Sequence, residues 1–504
     1  MRTAVVFAGS LGCAPGAVQP GPGRDTGGDR IHLSPQQSCD APRATASWTD
    51  ASAANDLTAP PTRDDAGGLV VADFDGDGWL DLFTLTADRG GPLWHGGPDG
   101  LTRSTEPLRA SASAPSLADL DGDGAWEVLL AGREPQVFDP RTGAATPLDA
   151  PELDPLAFWR ELRAFDADGD GDTDLFAARS RSPEDPTATL TDALLIQDET
   201  GRLRIDPDAL PAASTARMSF DVVRFDANGD AEPDLYLVHD MGQEHGENTL
   251  LQRSGDRFID VAADHQLDLR MDGMGGHAAD IDGDGRLDLL LADTGRSRLL
   301  VQRPDGSFAD ATAAWGADPV TDPRHMLWGA IVADLDHDGW RDLLMLQGPF
   351  LDPHDSSPDP QPFTLMRQTD DGLTDASAWL PGERLGSWRA VVADDLNQDG
   401  VLDIVMTRSD APPRLTLSEG CTAAGWLAVV APDGSRVTVE AGGRAQVALV
   451  SVDSGFGANR RPVAWFGLGA SQQVDAVTVT LPWTAEERRI EGPFGARRTL
   501  TVTH

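Results

Sequence analysis

The sequence predicts an all-β chain: a seven-bladed β-propeller whose blades each carry an acidic loop, followed by a small β-sandwich-like C-terminal domain. Three observations predict it. An Asp-rich loop recurs seven times, starting at Asp73, Asp119, Asp166, Asp226, Asp280, Asp334 and Asp395, with spacings of 46 to 61 residues. Four short apolar stretches accompany the loop in the fifth copy, which is the content of one propeller blade. From about residue 425 the chain alternates apolar and polar residues between Gly-rich turns, the pattern of short half-buried strands.

The loop is clearest in its fifth copy, Asp280-Ile281-Asp282-Gly283-Asp284-Gly285-Arg286-Leu287-Asp288. Carboxylates stand at positions 1, 3, 5 and 9, and the glycine at position 6 lets the backbone turn tightly. Carboxylate oxygens that converge on one point repel one another unless a hard cation lies between them, and Ca2+ accepts six to eight oxygens. Position 7 would lend its backbone carbonyl. The expected cofactor is therefore Ca2+, up to seven ions, and these are calcium loops. An EF-hand is excluded, because Thr84 rather than Glu occupies position 12 of the first copy and the flanks read as strand. The nonapeptide β-helix repeat has a far shorter period.

The candidate metal ligands are Asp73, Asp75, Asp77 and Asp81 in the first loop, and Asp119, Asp121, Asp123 and Glu127 in the second. The third offers Asp166, Asp168, Asp170 and Asp174, and the fourth Asp226, Asn228, Asp230 and Asp234. Asp280, Asp282, Asp284 and Asp288 belong to the fifth, Asp334, Asp336, Asp338 and Asp342 to the sixth, and Asp395, Asn397, Asp399 and Asp403 to the seventh. Glu127 is a longer arm that still reaches. The seventh loop loses one charge at Asn397. The fourth loses one at Asn228 and carries Ala231 at position 6, so it should bind most weakly.

Taken in order, residues 1–13 hold one Arg, a short apolar run and a small residue before Cys13, a signal- or lipoprotein-like segment with Cys13 as the lipidation candidate. This predicts export to the cell envelope or beyond, with membrane contact only through a lipid on Cys13; no stretch is long enough to span a bilayer. Residues 14–44 are rich in Pro and Gly and are expected to form a disordered tether. The propeller occupies residues 45–420 and the C-terminal domain residues 425–504. In the fifth unit, His277-Ala278-Ala279 leads into the loop and Leu287 to Leu291 follows it. Then come Arg298 to Gln302 and, after the turn Pro304-Asp305-Gly306, Ser307 to Thr312. The last unit ends at its third strand, Arg414 to Gly420, whereas Ser47 to Ser52 is an orphan of fourth-strand type at the start. The N-terminal strand should therefore complete the seventh blade, closing the ring without exposed sheet edges. Closure brings Cys39 towards Cys421; a disulfide is expected in an oxidising compartment, and two unpaired thiols are the alternative.

A formal net charge of −42 argues against nucleic acid as a partner. All 40 basic side chains are arginine, which excludes lysine-dependent covalent chemistry. The sequence holds no Gly-x-Ser-x-Gly elbow, no His-Glu-x-x-His, no Walker-type Gly/Lys loop and no CxxC. Carboxylates committed to metal have no proton to donate. The chain is therefore read as no enzyme, with no catalytic residue.

Residues 48 to about 418 resemble FG-GAP/VCBS repeats, the calcium-loop blades of integrin α-type propellers. The C-terminal stretch resembles the ASPIC/UnbV domain through Gly434-Ser435-Arg436-Val437-Thr438-Val439, Ala441-Gly442-Gly443-Arg444, Ser454-Gly455-Phe456, Trp465-Phe466-Gly467-Leu468-Gly469, Val474 to Val479 and Arg498 to Val502. Together they resemble a bacterial relative of the cartilage acidic protein family, although that family's Trp-Pro-Ser-Gly is Leu481-Pro482-Trp483-Thr484 here. The resemblance implies extracellular, calcium-dependent binding or adhesion, with loops on one face and partners docking on the other. Trp159, Arg160, Trp328, Trp388 and Arg389 precede the loops on the strands that lead from that opposite face. Arg63, Arg109, Arg217, Arg270, Arg324 and Arg384 stand a few residues earlier. Two readings are open: the aromatics pack between blades and the arginines pair locally, or together they line a mouth for an anionic glycan or acidic protein. A binding or adhesion protein with a protein or anionic glycan ligand is the expected function. An envelope scaffold, or a hydrolase or lyase with an unrecognised site at the mouth, are the alternatives. The sequence leaves the oligomeric state open.

Overall fold

The apolar runs on either side of each loop become the two inner strands of a blade. In the first blade Leu69–Ala72 and Asp81–Thr84 pair antiparallel and are buried throughout. Strands covered on both faces read as continuous apolar runs rather than alternating ones, which is why the loop flanks are so uniformly aliphatic. The outer strands meet solvent, and Ala144–Pro147 is exposed along its whole length. The computed structural model describes residues 31–503 except 40–41, 44, 58–67, 86–90, 105–111, 155–156, 181–190, 321 and 350–358. Cys13, Arg63 and Arg109 thus lie outside the described residues.

Among the described residues, seven sheets each run antiparallel from an inner to an outer strand. Their inner strands are Leu69–Ala72, Pro115–Ala118, Phe158–Phe165, Ser219–Phe225, Gly273–Ala279, Leu327–Ala333 and Trp388–Asp394. Each inner strand touches the next, and the last returns to the first, so the ring is closed. The fold is a β-propeller. Closure follows the strand count: Trp48–Asp50 pairs with Arg414–Ser418 as the outer strand of the seventh blade, Trp48 opposite Ser418. Cys39 and Cys421 are joined by a disulfide across 382 residues.

The C-terminal domain is two four-stranded sheets around one apolar core that includes Leu427, Val437, Phe466, Val477 and Leu500. One of its edge strands is Ile31–Leu33, antiparallel to Arg498–Val502. The expected tether to residue 44 therefore fails at its end, where Ile31 and Leu33 pair with the C-terminal domain. Among the described residues no helix is long and apolar enough to cross a membrane.

The two domains interpenetrate, which the sequence did not disclose. Ala458–Arg460, from the C-terminal domain, lies parallel to Leu69–Ala72 as an additional innermost strand of the first blade. The segment from Ser451 to Arg461 fills the propeller channel. Leu117 of the second blade donates its amide to Asn459 Oδ1 at 2.8 Å. Phe456 packs on Trp328 with ring centroids 5.3 Å apart, and Ser454 donates to the Val391 carbonyl at 3.3 Å. Gly455 (φ 78°) sits where a Cβ would come within 2.8 Å of the Ala330 carbonyl oxygen, so only glycine fits.

Candidate metal centres

Each acidic loop is folded by its own carboxylates. The position-1 side chain accepts the amide of position 6: Asp73 from Gly78, Asp226 from Ala231 and Asp334 from Gly339, each at 2.9 Å. Positions 3 and 5 close short turns, Asp75 accepting from Asp77 at 3.2 Å and Asp77 from Trp79 at 2.8 Å. Position 9 ties the loop to the sheet. Asp288 accepts the Ile281 amide at 2.9 Å and the Gln302 amide of the third strand at 2.8 Å. The ligand oxygens of Asp119, Asp121 and Glu127, of Asp166, Asp168 and Asp174, and of Asp280, Asp282 and Asp288 consequently lie within 4.8 Å of one another.

The backbone is left-handed at position 4 as well as position 6, with Gly283 at φ 76° and Gly285 at φ 91°. His337 (φ 59°) and Gln398 (φ 58°) hold that strained position 4 in the sixth and seventh loops, and Ala231 (φ 68°) holds position 6 in the fourth.

Burial pushes the position-9 carboxyls of Asp81, Glu127, Asp174, Asp234 and Asp288 up to about 7, with loop carboxylates adding to the shift. Asp342 and Asp403 are raised further, again by burial first and neighbouring acids second. Among the described residues, Oδ1 of Asp119, Asp280 and Asp334 is buried and accepts no hydrogen bond. A buried acceptor without a donor is costly. A cation at the loop centre would supply what these oxygens lack, and an all-oxygen donor set fits a hard divalent ion. The loops are not equivalent. Asn228 and Asn397 turn their amides onto Asp230 (2.7 Å) and Asp399 (3.2 Å). Arg367 bridges Asp336 and Asp338 at 2.6 and 2.8 Å, and His95 Nδ1 lies 3.4 Å from Asp75.

The family described as FG-GAP-like repeat matches residues 73–130, 226–291 and 280–345, and ASPIC and UnbV matches residues 431–504. The chain is an FG-GAP β-propeller with a C-terminal UnbV domain. No curated protein matches it. Solved structures with a similar fold include BBS1N in complex with ARL6DN soaked with mercury, at 8% identity and TM-score 0.45, covering 74% of this chain and 97% of that one. YCF48 bound to D1 peptide follows at 8% identity, TM-score 0.43 and coverage of 75% and 97%. The Cps50 (Swd1) propeller domain of Myceliophteria thermophila has 11% identity, TM-score 0.40 and coverage of 70% and 98%.

The five residues expected at the mouth of the FG-GAP propeller do not line one. Trp159 and Arg160 are 2% exposed, and Trp328, Trp388 and Arg389 are 0% exposed. The Arg389 guanidinium lies over Trp328 at 4.3 Å, Arg160 over Phe220 at 4.2 Å, and Arg408 and Arg414 over Trp388 at 4.6 and 5.0 Å. These five residues are core between blades, which corrects their assignment as ligand-binding side chains. The earlier arginines pair locally: Arg270 with Glu247, Arg324 with Asp322 and Arg384 with Asp375, while Arg217 donates to the Glu247 carbonyl.

A buried ionic cluster in the channel escaped sequence reasoning. Asp453 of the UnbV domain pairs with Arg163, which also pairs with Glu161 and lies 3.1 Å from Asp221, and Arg224 pairs with Asp433 at 2.6 Å. Burial raises Glu161 well above the usual carboxylate range although Arg163 opposes the shift. A cavity of about 40 Å³ opens beside Arg163, Asp221, Arg460 and His277, whose imidazole is pushed down to about 3 by burial and Arg460. It has room for a water molecule. Asp453 was visible only as an acid beside Ser454-Gly455-Phe456.

Proposed function

We propose that this protein is an exported, calcium-stabilised binding protein without catalytic activity, its ligand meeting the propeller face opposite the loops. The observation that carries this reading is the set of buried, donor-less oxygens on Asp119, Asp280 and Asp334, each inside an all-oxygen loop. Ca2+ there is structural: it neutralises converging carboxylates and holds the turn between the inner strands. The Cys39–Cys421 disulfide supports an oxidising compartment, and membrane contact is confined to a lipid on Cys13.

Ala458–Arg460 lies against the innermost strand of the first blade, and among the described residues the UnbV domain meets the propeller on the loop side, which leaves the opposite side as the one assigned to a ligand. Arg270, Arg324 and Arg384 stand just before inner strands on that side, with side chains 51%, 58% and 43% exposed. Exposed ion pairs contribute little to stability, so these arginines can exchange their carboxylates for those of an anionic glycan or an acidic protein. The test is calcium stoichiometry by equilibrium dialysis, together with binding to a sulfated and carboxylated polysaccharide panel and to acidic proteins. Bound calcium, and saturable binding lost in the Arg270→Ala/Arg324→Ala/Arg384→Ala variant, is the expected result. Absence of bound calcium, or unchanged binding by the triple variant, overturns the reading.

A further inference from the structure

We infer that the metal loops themselves seat the UnbV domain, so that calcium occupancy and closure of the channel are coupled. The inference rests on the calcium reading of the loops and goes beyond it in assigning the ion a second role. In each loop the position-6 amide points inward to the position-1 carboxylate, which leaves the position-6 carbonyl facing out. Three consecutive loops present that carbonyl to the UnbV domain. Ala231 accepts from the Trp483 amide at 2.8 Å, Gly285 from Arg436, and Gly339 from Arg444 at 3.3 Å. Trp483 Nε1 reaches back to the Asp166 carbonyl of the third loop at 3.3 Å.

The fit leaves no slack. A Cβ on Gly169 would lie 2.9 Å from the Trp483 ring, one on Gly400 2.6 Å from the Trp426 ring, and one on Gly467 2.0 Å from Asp334 Oδ2. A platform of this kind exists only while the loops keep one shape. Without a cation, ionised carboxylates whose ligand oxygens lie within 4.8 Å of one another repel, and more strongly near protein than in water. Relief of that repulsion moves the position-6 carbonyls on which the domain rests. The same domain carries the channel segment, whose ladder is the Leu69 amide to Gly457 and the Arg461 amide to Val71, both at 2.9 Å. Loosening the seat therefore loosens the plug. Linkage makes the effect reciprocal: a seated domain raises the calcium affinity of the loops beneath it by the same factor.

Hydrogen exchange followed by mass spectrometry on the full chain tests this. In EDTA, amides of residues 451–461 should exchange at least about fivefold faster than in calcium, while the UnbV core strand Val463–Gly469 stays protected. The Arg436→Gln/Arg444→Gln variant, kept in calcium, should speed exchange at residues 451–461 and weaken calcium binding. Equilibrium dialysis runs alongside. If no calcium binds, the underlying reading fails and the coupling with it. If calcium binds but residues 451–461 exchange alike with and without it, the coupling alone is overturned. If EDTA exposes the UnbV core as well, the variant decides: wild-type exchange at residues 451–461 in calcium overturns the coupling.

Discussion

Trp48→Ala probes how the ring is closed. Trp48 is 5% exposed, stacks on Trp379 at 5.7 Å and donates Nε1 to the Leu402 carbonyl at 2.9 Å. Truncating a buried tryptophan costs about 3–5 kcal/mol, and the carbonyl left without its donor adds about 1 kcal/mol. The substitution should therefore cost about 4–6 kcal/mol. Trp379→Ala, at the partly buried partner, removes mainly the ring contact, about 0.5–1.5 kcal/mol. The Cys39–Cys421 disulfide pins the same end of the chain, so the two restraints should be non-additive: Trp48→Ala costs more once the disulfide is reduced. Urea unfolding followed by far-UV circular dichroism, with and without reductant, measures both terms. A loss below about 1 kcal/mol in the reduced protein, far under what a buried tryptophan normally contributes, would mean that the seventh blade holds without its N-terminal strand. The closure argument then fails.

Three further outcomes are expected. The thermal midpoint should rise by many degrees from EDTA to millimolar Ca2+ and hardly at all with Mg2+, since a site at a hundredfold excess over its Kd adds about 2.7 kcal/mol; equal midpoints would show that metal is not structural. Metal-free protein should lose stability between pH 5 and pH 7.5 in calorimetry. The position-9 carboxyls, raised from 3.8 to about 7 in the fold, stabilise it below the ordinary carboxylate range and lose that contribution as pH climbs through their folded values. Calcium, which holds them ionised, should remove the decline, and a flat EDTA profile would contradict the burial argument. Ala231→Gly should stabilise the protein by about 1 kcal/mol in urea titration, because alanine at φ 68° bears a left-handed penalty that glycine escapes; a loss would mean that the methyl group packs usefully.

The loops and inner strands were legible because their chemistry is local: nine residues carry their own turn, and the aliphatic flanks carry their own burial. Ring closure was legible through an imbalance, a third strand at Arg414 without a fourth and an orphan at Trp48. The left-handed position 4 is also written in the sequence, since Gly76, Gly122, Gly169, Gly229 and Gly283 all stand there. Trp328 and Trp388 were not decidable, because an aromatic entering an inner strand looks the same whether it faces a mouth or the next blade. The short apolar piece Ile31-His32-Leu33 carries too little pattern to announce an edge strand. Ser454-Gly455-Phe456 gave no hint of the channel, because its partners Leu117, Trp328 and Ala330 are set by the closed ring and not by neighbouring sequence.

The arginine-only basic set becomes intelligible at the junction of the domains. Arg341 is half-buried, feels the charges of Asp280 and Asp334, and donates to the Trp465 and Val447 carbonyls at 3.2 and 3.1 Å. Arg461 forks onto Asp394 with two contacts of 3.0 Å beside the seventh loop. Each guanidinium meets carbonyls or a carboxylate in a fixed planar array while keeping its charge. A lysine in the same burial would offer a single point of donation and would be driven towards its neutral form. These arginines approach the loops from outside and reach backbone carbonyls and flanking acids. The donor-less oxygens of Asp280 and Asp334 belong to loops whose position-1 and position-9 carboxylates are shielded by the strands and by the UnbV domain. A side chain from the interface cannot do there what a small ion can. The interface guanidiniums therefore act on different oxygens of the acidic face from those a loop cation would reach.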